Sequence, residues 1–516
     1  MNRRHLVPAA ALAAAALALT ACAGGGDSPG TTTDTIRTTI DIPASFDPTL
    51  TQSLPDYVLA RTSYDTLVRK DAGGLVPGLA TEWTETPTQA VFTIRTDATC
   101  ADGTAITPTI VKDSLEYFAR PETGSIVVPQ VFGPNTPVIT ADDAAGTVTI
   151  DLENPWPFLV TGLTIATTGI VCPAGLADPE ALAAGTAEGS ESGPYVLGSY
   201  EPGVRYEYTL REDYAAWPEW STPVEGTPAA TLEYVVSPDS TATANLVLGD
   251  QLDIAKIQAQ TIERFDGMEG YDVAVNRFSD FYLLFNEREG SVFADESLRR
   301  AAAQAIDREM FESVTSLGTG EIATTLVSSE TPCVPTENPT IPAHDPEAAA
   351  SALEGVSIRL VGPTIAGPNG AGNEYLAEAL RAAGAEVELT NTDVGTWVST
   401  VFTEPGAWDV TMFADLNFLG SLVSPLTAFT GPQIFDGGGN VGGVVNPDAE
   451  AALAEALVAT DADAQCAALN AAADALFERV DAFPLINDAF IYVQRPGFTV
   501  QMLGGALDDP IFRIAG

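Results

Sequence analysis

The chain has 516 residues, enough for more than one domain at the usual ~100–200 residues per domain, and 45% of them are hydrophobic, so a sizeable core can be buried. Its 70 acidic residues against 23 basic ones leave a net charge of −47, which repels phosphate backbones and anionic lipid surfaces and excludes nucleic acid as a partner. Histidine occurs only as His5 and His344 and lysine only as Lys70, Lys112 and Lys256, so multi-histidine metal centres are excluded and neither imidazole nor lysine catalysis has much to draw on.

Arg3, Arg4 and His5 precede an alanine- and leucine-rich run over 6–19, too short to span a bilayer and characteristic of an export signal. The signal ends in Leu19-Thr20-Ala21-Cys22, which resembles the bacterial lipobox. Cleavage before Cys22 would remove residues 1–21, His5 included, and leave the Cys22 thiol to carry a diacylglycerol anchor. Residues 22–34, small and glycine-rich at first, then read as a flexible tether. Arg3-Arg4 leaves both the general secretory and the twin-arginine route open. No later stretch reaches eighteen consecutive apolar residues. With Cys22 set aside, Cys100, Cys172, Cys333 and Cys466 remain, an even number suited to disulfides outside the cell, with three possible connectivities.

Half-buried strands are predicted where Val148, Ile150 and Leu152 alternate with Thr147, Thr149, Asp151 and Glu153, and where Tyr206, Tyr208 and Leu210 alternate with Arg205, Glu207 and Thr209. Behind Asp295, a plausible N-cap, the residues Leu298, Ala302, Ala305, Ile306 and Met310 keep helical spacing. The strands around 356–360 and 387–389 flank a helical 374–383, a βαβ pattern. Cys466, Leu469, Ala473, Leu476 and Val480 form the apolar stripe of a later helix. The fold class is α/β, without repeats.

In chain order, a series of short motifs resembles the extracytoplasmic solute-binding proteins of ABC importers, in their large dipeptide, oligopeptide and nickel class, family 5. The motifs are Ser45-Phe46-Asp47-Pro48; Tyr64-Asp65-Thr66-Leu67-Val68; the segment from Leu75 through Pro77 and Leu79-Ala80 to Trp83; Phe92-Thr93-Ile94-Arg95 followed by Ala101-Asp102-Gly103-Thr104; Gly193-Pro194-Tyr195; Arg211-Glu212-Asp213-Tyr214; and Leu284-Phe285-Asn286 with 297–308. Each is short, and their collinearity over hundreds of residues carries the resemblance. Taken singly they read structurally. Asp102-Gly103 is a turn signal, Trp83 a core residue, and Arg299, Arg300 and Arg308 a solvated or ion-paired helix face. The glycine-rich 437–442 has neither the preceding strand nor the following helix of a nucleotide loop. His344, between Pro342 and Pro346, has no partner to activate.

The resemblance implies a two-lobed fold of the periplasmic-binding-protein type, hinged by two crossover strands near 277–285 and 490–496, with solute enclosed between the lobes. Lobe one would take 35–275, with an extra subdomain over about 56–172, and the return segment 488–516; lobe two would take 276–487. The ligand residues would be Gln52 and Tyr57 from lobe one, Phe281 and Tyr282 near the crossing, and Trp397, Phe413, Asp415 and Asn417 from lobe two. Family peptide binders present a tryptophan and a carboxylate on a strand matching 409–418. Here Asp415 stands where the tryptophan is expected, which favours a cationic or hydroxyl-rich solute over a free peptide α-amine, although a slip of a residue or more in this alignment would restore the amine role. The lobe assignment pairs Cys333 with Cys466 and Cys100 with Cys172.

The resulting expectation is a monomeric lipoprotein on the outer face of the cytoplasmic membrane, touching the membrane through its anchor alone. It would take a peptide, or a peptide-sized or cationic compound, to ABC permease subunits, with no metal, no cofactor and no enzymatic activity. A solute-sensing lipoprotein of the same fold is the alternative. An exported hydrolase is disfavoured, because no G-x-S-x-G elbow and no clustered metal-site carboxylates occur.

Overall fold

The computed structural model describes residues 34–501 and 511–515, with 52, 72, 124, 126 and 238 excepted. Cys22 and Gln52, the expected lipidation and loop residues, lie outside the described residues.

The alternating segments become strands with alternating burial. Thr147–Asp151 joins Ala80–Thr86, Gln89–Ile94 and Val138–Asp142 in an antiparallel four-stranded sheet. Arg205–Leu210 lies between Tyr195–Glu201 and Thr231–Val236 in a second sheet, completed by Thr35–Ile40 running parallel to the last. Asp102-Gly103 forms a turn in which the Asp102 carboxylate accepts from the Thr104 amide at 2.8 Å and Gly103 takes φ +85°.

Two long strands tie the architecture together. The first crossing strand, Asp272–Phe285, and the second, Ala482–Gln494, pair antiparallel from Asp272 opposite Gln494 to Leu284 opposite Ala482. At one end the second strand carries Ile254–Ile257; at the other, Val410–Asp415 pairs with the first. The expected lobe boundaries at 275/276 and 487/488 fall inside these strands. Beyond Val410–Asp415 the sheet continues into Ser357–Pro363 and Glu386–Thr392, parallel strands joined by the helix Ala371–Ala382, which is the βαβ unit read from the sequence. The molecule is a two-lobed α/β protein whose lobes share these two strands.

Two helical expectations shift. Asp295 caps its helix, but that helix ends at Ala305, and Met310 belongs to a new one, Arg308–Thr315. The Asp307 carboxylate causes the break, accepting from the Glu309 and Met310 amides at 3.0 and 3.2 Å. The late helix spans Ala462–Glu478, so Val480 follows its end at φ +54° and is buried outside the helical stripe.

Arg299 is fully buried. It pairs with Asp481 at 2.8 Å and Glu287 at 3.4 Å, while Arg300 beside it is exposed. Disulfides join Cys100 to Cys172 and Cys333 to Cys466, across separations of 72 and 133 residues. Near the start of the described chain, Arg37 donates to Asp253 from its amide and guanidinium at 2.7 to 2.9 Å, and Arg495, just past the second crossing strand, donates to the same carboxylate at 2.7 Å. Residues 437–442 form a loop, and His344 is exposed, 3.9 Å from Asp307.

Candidate functional site

Alternation along the first crossing strand separates the predicted residues. Asp280 and Tyr282 share one face, and register places Asp415 opposite Asp280 and Phe413 opposite Tyr282. Phe281, opposite Ala414, therefore points to the other face, where it is buried. Tyr282 and Phe413 stack at 5.4 Å, and Trp397 meets Phe413 edge-on at 5.4 Å. Trp397 comes from the helix Val394–Thr403 and is buried, its indole N–H donating to the Thr411 hydroxyl at 2.8 Å. The structure thus brings Tyr282, Phe413, Asp415 and Asn417 together, places Trp397 behind them, and sets Phe281 apart.

Asp415 ends its strand, and the chain turns at once. The Asn417 amide donates to Asp415 Oδ1 at 2.6 Å, Asn417 takes φ +41°, and the Asn417 side chain donates to Thr331 while its own oxygen accepts from the Ser421 amide at 3.0 Å. The Tyr282 hydroxyl points at Asp415 Oδ2 from 3.5 Å. Burial pushes the Asp415 carboxyl up to about 6, against the hydrogen bonds from Asn417 and Tyr282. Asp280 is pushed well above the usual range by burial and then by the Asp415 charge, with the Asn487 amide donating to it at 2.7 Å as a partial offset. No lysine or arginine pairs with either acid among the described residues.

The helix Leu54–Ser63 faces this group, capped by Ser53 with Asp56 reaching back to the Ser53 amide. Its Tyr57 sets its ring 4.6 Å from Phe418 of the loop after Asp415. Burial raises the Tyr57 phenol, partly countered by the Thr51 and Thr167 hydroxyls beside it. A second long-range contact runs from the Ser424 hydroxyl to the Gln130 side-chain oxygen at 3.4 Å. On the second crossing strand Asp488 accepts from the Ser316 hydroxyl at 2.6 Å, and burial pushes it up to about 6.

Sequence reasoning missed Asp280, Asn487 and Asp488. The signal was available for Asp280, an acid inside the apolar run 278–285 that could only be buried. The arrangement is a seam walled by aromatic rings, with a buried Asp280 and half-buried Asp415 and Asp488 that accept hydrogen bonds; Asp280 and Asp415 lack a cationic partner among the described residues, whereas the Lys256 charge acts on Asp488. Among the described residues no group of three His, Cys, Asp or Glu side chains could hold a metal ion, and no helix is long and apolar enough to cross a membrane.

The family model described as bacterial extracellular solute-binding proteins, family 5 (middle part), matches residues 74–433. The chain belongs to this family. Family 5 proteins are the binding proteins of transport systems, not enzymes, and the family is an extracellular one. A substrate-binding protein from Microbacterium hydrocarbonoxydans, solved in complex with 4-hydroxybenzoate hydrazide, is 50% identical over 94% of this chain and 100% of that one, with a TM-score of 0.89. A dipeptide-binding protein from Pseudoalteromonas sp. SM9913 in complex with Met-Leu is 17% identical over 93% of this chain and 100% of that one, with a TM-score of 0.78. The Escherichia coli murein tripeptide-binding protein MppA is 21% identical over 93% and 98%, with a TM-score of 0.79. These last two share the fold. No curated protein matches the sequence significantly.

Proposed function

We propose that this family 5 protein is held outside the cytoplasmic membrane by a lipid on Cys22, works as a monomer, encloses a small aromatic solute bearing N–H donors, and delivers it to the permease of an ABC importer. Asp415 carries the ligand class. It is a half-buried carboxylate without a cationic partner among the described residues, set among the rings of Tyr282, Phe413, Tyr57 and Phe418, so it calls for a solute that brings hydrogen-bond donors and a flat apolar body. The compound bound by the 50%-identical Microbacterium protein, 4-hydroxybenzoate hydrazide, has that form: an aromatic ring with an N–H-rich end. Phe281 contributes packing under this reading, and Trp397 supports Phe413 from behind.

The competing ligand is a peptide whose α-amine would meet the same carboxylate. Titration calorimetry on protein lacking only residues 1–22 separates them. The expected result is saturable one-to-one binding of 4-hydroxybenzoate hydrazide and no binding of unmodified di- and tripeptides. Peptide binding that disappears when the N-terminus is blocked, with none of the hydrazide, overturns the reading. Fractionation of cells expressing Cys22→Ala tests the anchor; a variant that stays with the membranes as the parent does refutes it.

A further inference from the structure

Lys70 lies on the strand Val68–Asp71, which forms a hairpin with Gly74–Pro77. Its side chain reaches to the loop that follows Asp415, so closely that a Cβ built on Gly420 would fall 2.2 Å from Lys70 Nζ. Gly420 sits at φ +61°, a conformation suited to glycine, which also leaves room for the ammonium. The loop folds back on itself, the Gly420 amide donating to the Asn417 carbonyl at 2.8 Å, and the Asn417 amide in turn donates to Asp415, so Lys70 meets the short turn that Asp415 begins. The Tyr57–Phe418 contact belongs to the same loop, two residues before Gly420.

The Lys70 ammonium has no hydrogen-bond or ion-pair partner among the described residues. The contrast with its neighbours is informative in a chain carrying 70 acidic residues. Lys112 pairs with Asp113 and Glu116, Lys256 stands over the Phe490 ring at 4.6 Å, and Arg69, next to Lys70, pairs with Asp65. Lys70 alone among the lysines is half-buried against a loop that supplies no acid. Burial lowers its pKa, with no charge nearby to raise it. Such a group is costly unless an acceptor meets it.

We propose that Lys70 is a ligand-recognition residue whose ammonium donates to an oxygen of the solute, the ring hydroxyl or the acyl carbonyl of an aromatic acid derivative, while Asp415 receives the N–H end. This rests on the aromatic-solute reading above and adds its second anchor. The solute class is thereby narrowed to compounds with an oxygen acceptor as well as N–H donors.

Calorimetry with the parent and Lys70→Met, using 4-hydroxybenzoate hydrazide, benzoate hydrazide and benzylhydrazine, tests it. Loss of a hydrogen bond to a charged group is expected to weaken 4-hydroxybenzoate hydrazide about 10- to 100-fold, with the melting temperature of the unliganded variant no lower than the parent's. A loss confined to the hydroxylated compound assigns the contact to the hydroxyl; a loss shared with benzoate hydrazide assigns it to the carbonyl. Either supports the inference. Equal affinity of variant and parent for both hydrazides overturns it and leaves the aromatic reading standing, as does an equal loss on benzylhydrazine, which has neither oxygen. Failure of the parent to bind any hydrazide overturns both. If Lys70→Met does not fold, Lys70→Gln, which keeps a donor and loses the charge, is expected to show a smaller loss with the same ligand pattern.

Discussion

Asp280 and Asp415 stand directly opposite each other in the antiparallel pairing of the first crossing strand with Val410–Asp415, on the same face, and no basic side chain among the described residues separates them. Like charges in cross-strand register repel, and burial amplifies the cost. One of the two therefore holds its proton more tightly. Asp280, the more deeply buried, is pushed further up than Asp415.

This has a stability consequence with a definite sign. Asp415 titrates near 6 in the folded protein and near its ordinary value when unfolded, so between about pH 4 and 6 the folded state keeps a proton that the unfolded state releases. Its contribution to stability is lost as pH rises through that window and stays lost above it, with an upper bound of about 3 kcal/mol. Asp415→Asn removes the term, so its melting temperature is expected to gain on the parent's as pH goes from 4 to 6. A difference between the two that stays constant over this range refutes the prediction.

Ligand affinity should run the other way. A carboxylate accepts the solute's N–H groups only when ionised, so affinity is expected to fall as pH drops below about 6. Asp280 and Tyr282 on the crossing strand and Tyr57 on the helix Leu54–Ser63 are the titratable groups around it, and burial shifts all three upward. In Asp415→Asn the pH dependence disappears together with most of the affinity. Calorimetry at several pH values reads both effects.

Tyr57 and Phe418 offer a test of the seam. In a double-mutant cycle on ligand affinity, with Tyr57→Ala and Phe418→Ala, a coupling of about 0.5 to 1.5 kcal/mol is expected from the aromatic contact. Additive losses would mean that the two rings do not cooperate in holding solute.

Peptide mapping without reduction should yield one fragment joining Cys100 to Cys172 and another joining Cys333 to Cys466. On the chain-entropy model each bridge stabilises by about 4 to 5 kcal/mol, so replacing either pair with serine lowers the melting temperature markedly. A peptide linking Cys100 to Cys333 would contradict the structure.

Arg299→Met should destabilise by about 3 to 5 kcal/mol, because it takes from the buried Asp481 and Glu287 their buried cation and leaves them only the half-exposed Arg479, 3.6 and 3.8 Å away, and the Asn446 amide on Asp481. Glu287 is already pushed up to about 8 by burial and by Asp481, and without the guanidinium it would protonate more readily still. Chemical denaturation measures the loss.

Much of the fold was legible because its signals are local. The period-two strand at Thr147–Asp151, the Asp295 cap and the βαβ unit each rest on a few neighbouring residues. Asp307 misled because helical periodicity ran through it, while its carboxylate was competing for the amides that a continuous helix needs. The seam was only half legible. Tyr282, Phe413 and Asp415 follow from family resemblance, but separating Phe281 from Tyr282 requires the strand's facing, and Arg299's burial requires partners 181 and 182 residues away. Lys70 could not be singled out at all, since what distinguishes it is a glycine in a distant loop.

The carboxylate of Asp253 binds one arginine 216 residues before it and another 242 residues after it. Such a clasp imposes an order on assembly. The sheet begun by Thr35–Ile40 can gain its first arginine contact as soon as residue 253 is available, but the second waits until nearly the whole chain has been made. Contacts this far apart in sequence close late, so refolding should lock the arginine at 495 in its slowest phase, and a chain arrested before that residue would leave Asp253 with one arginine of its two.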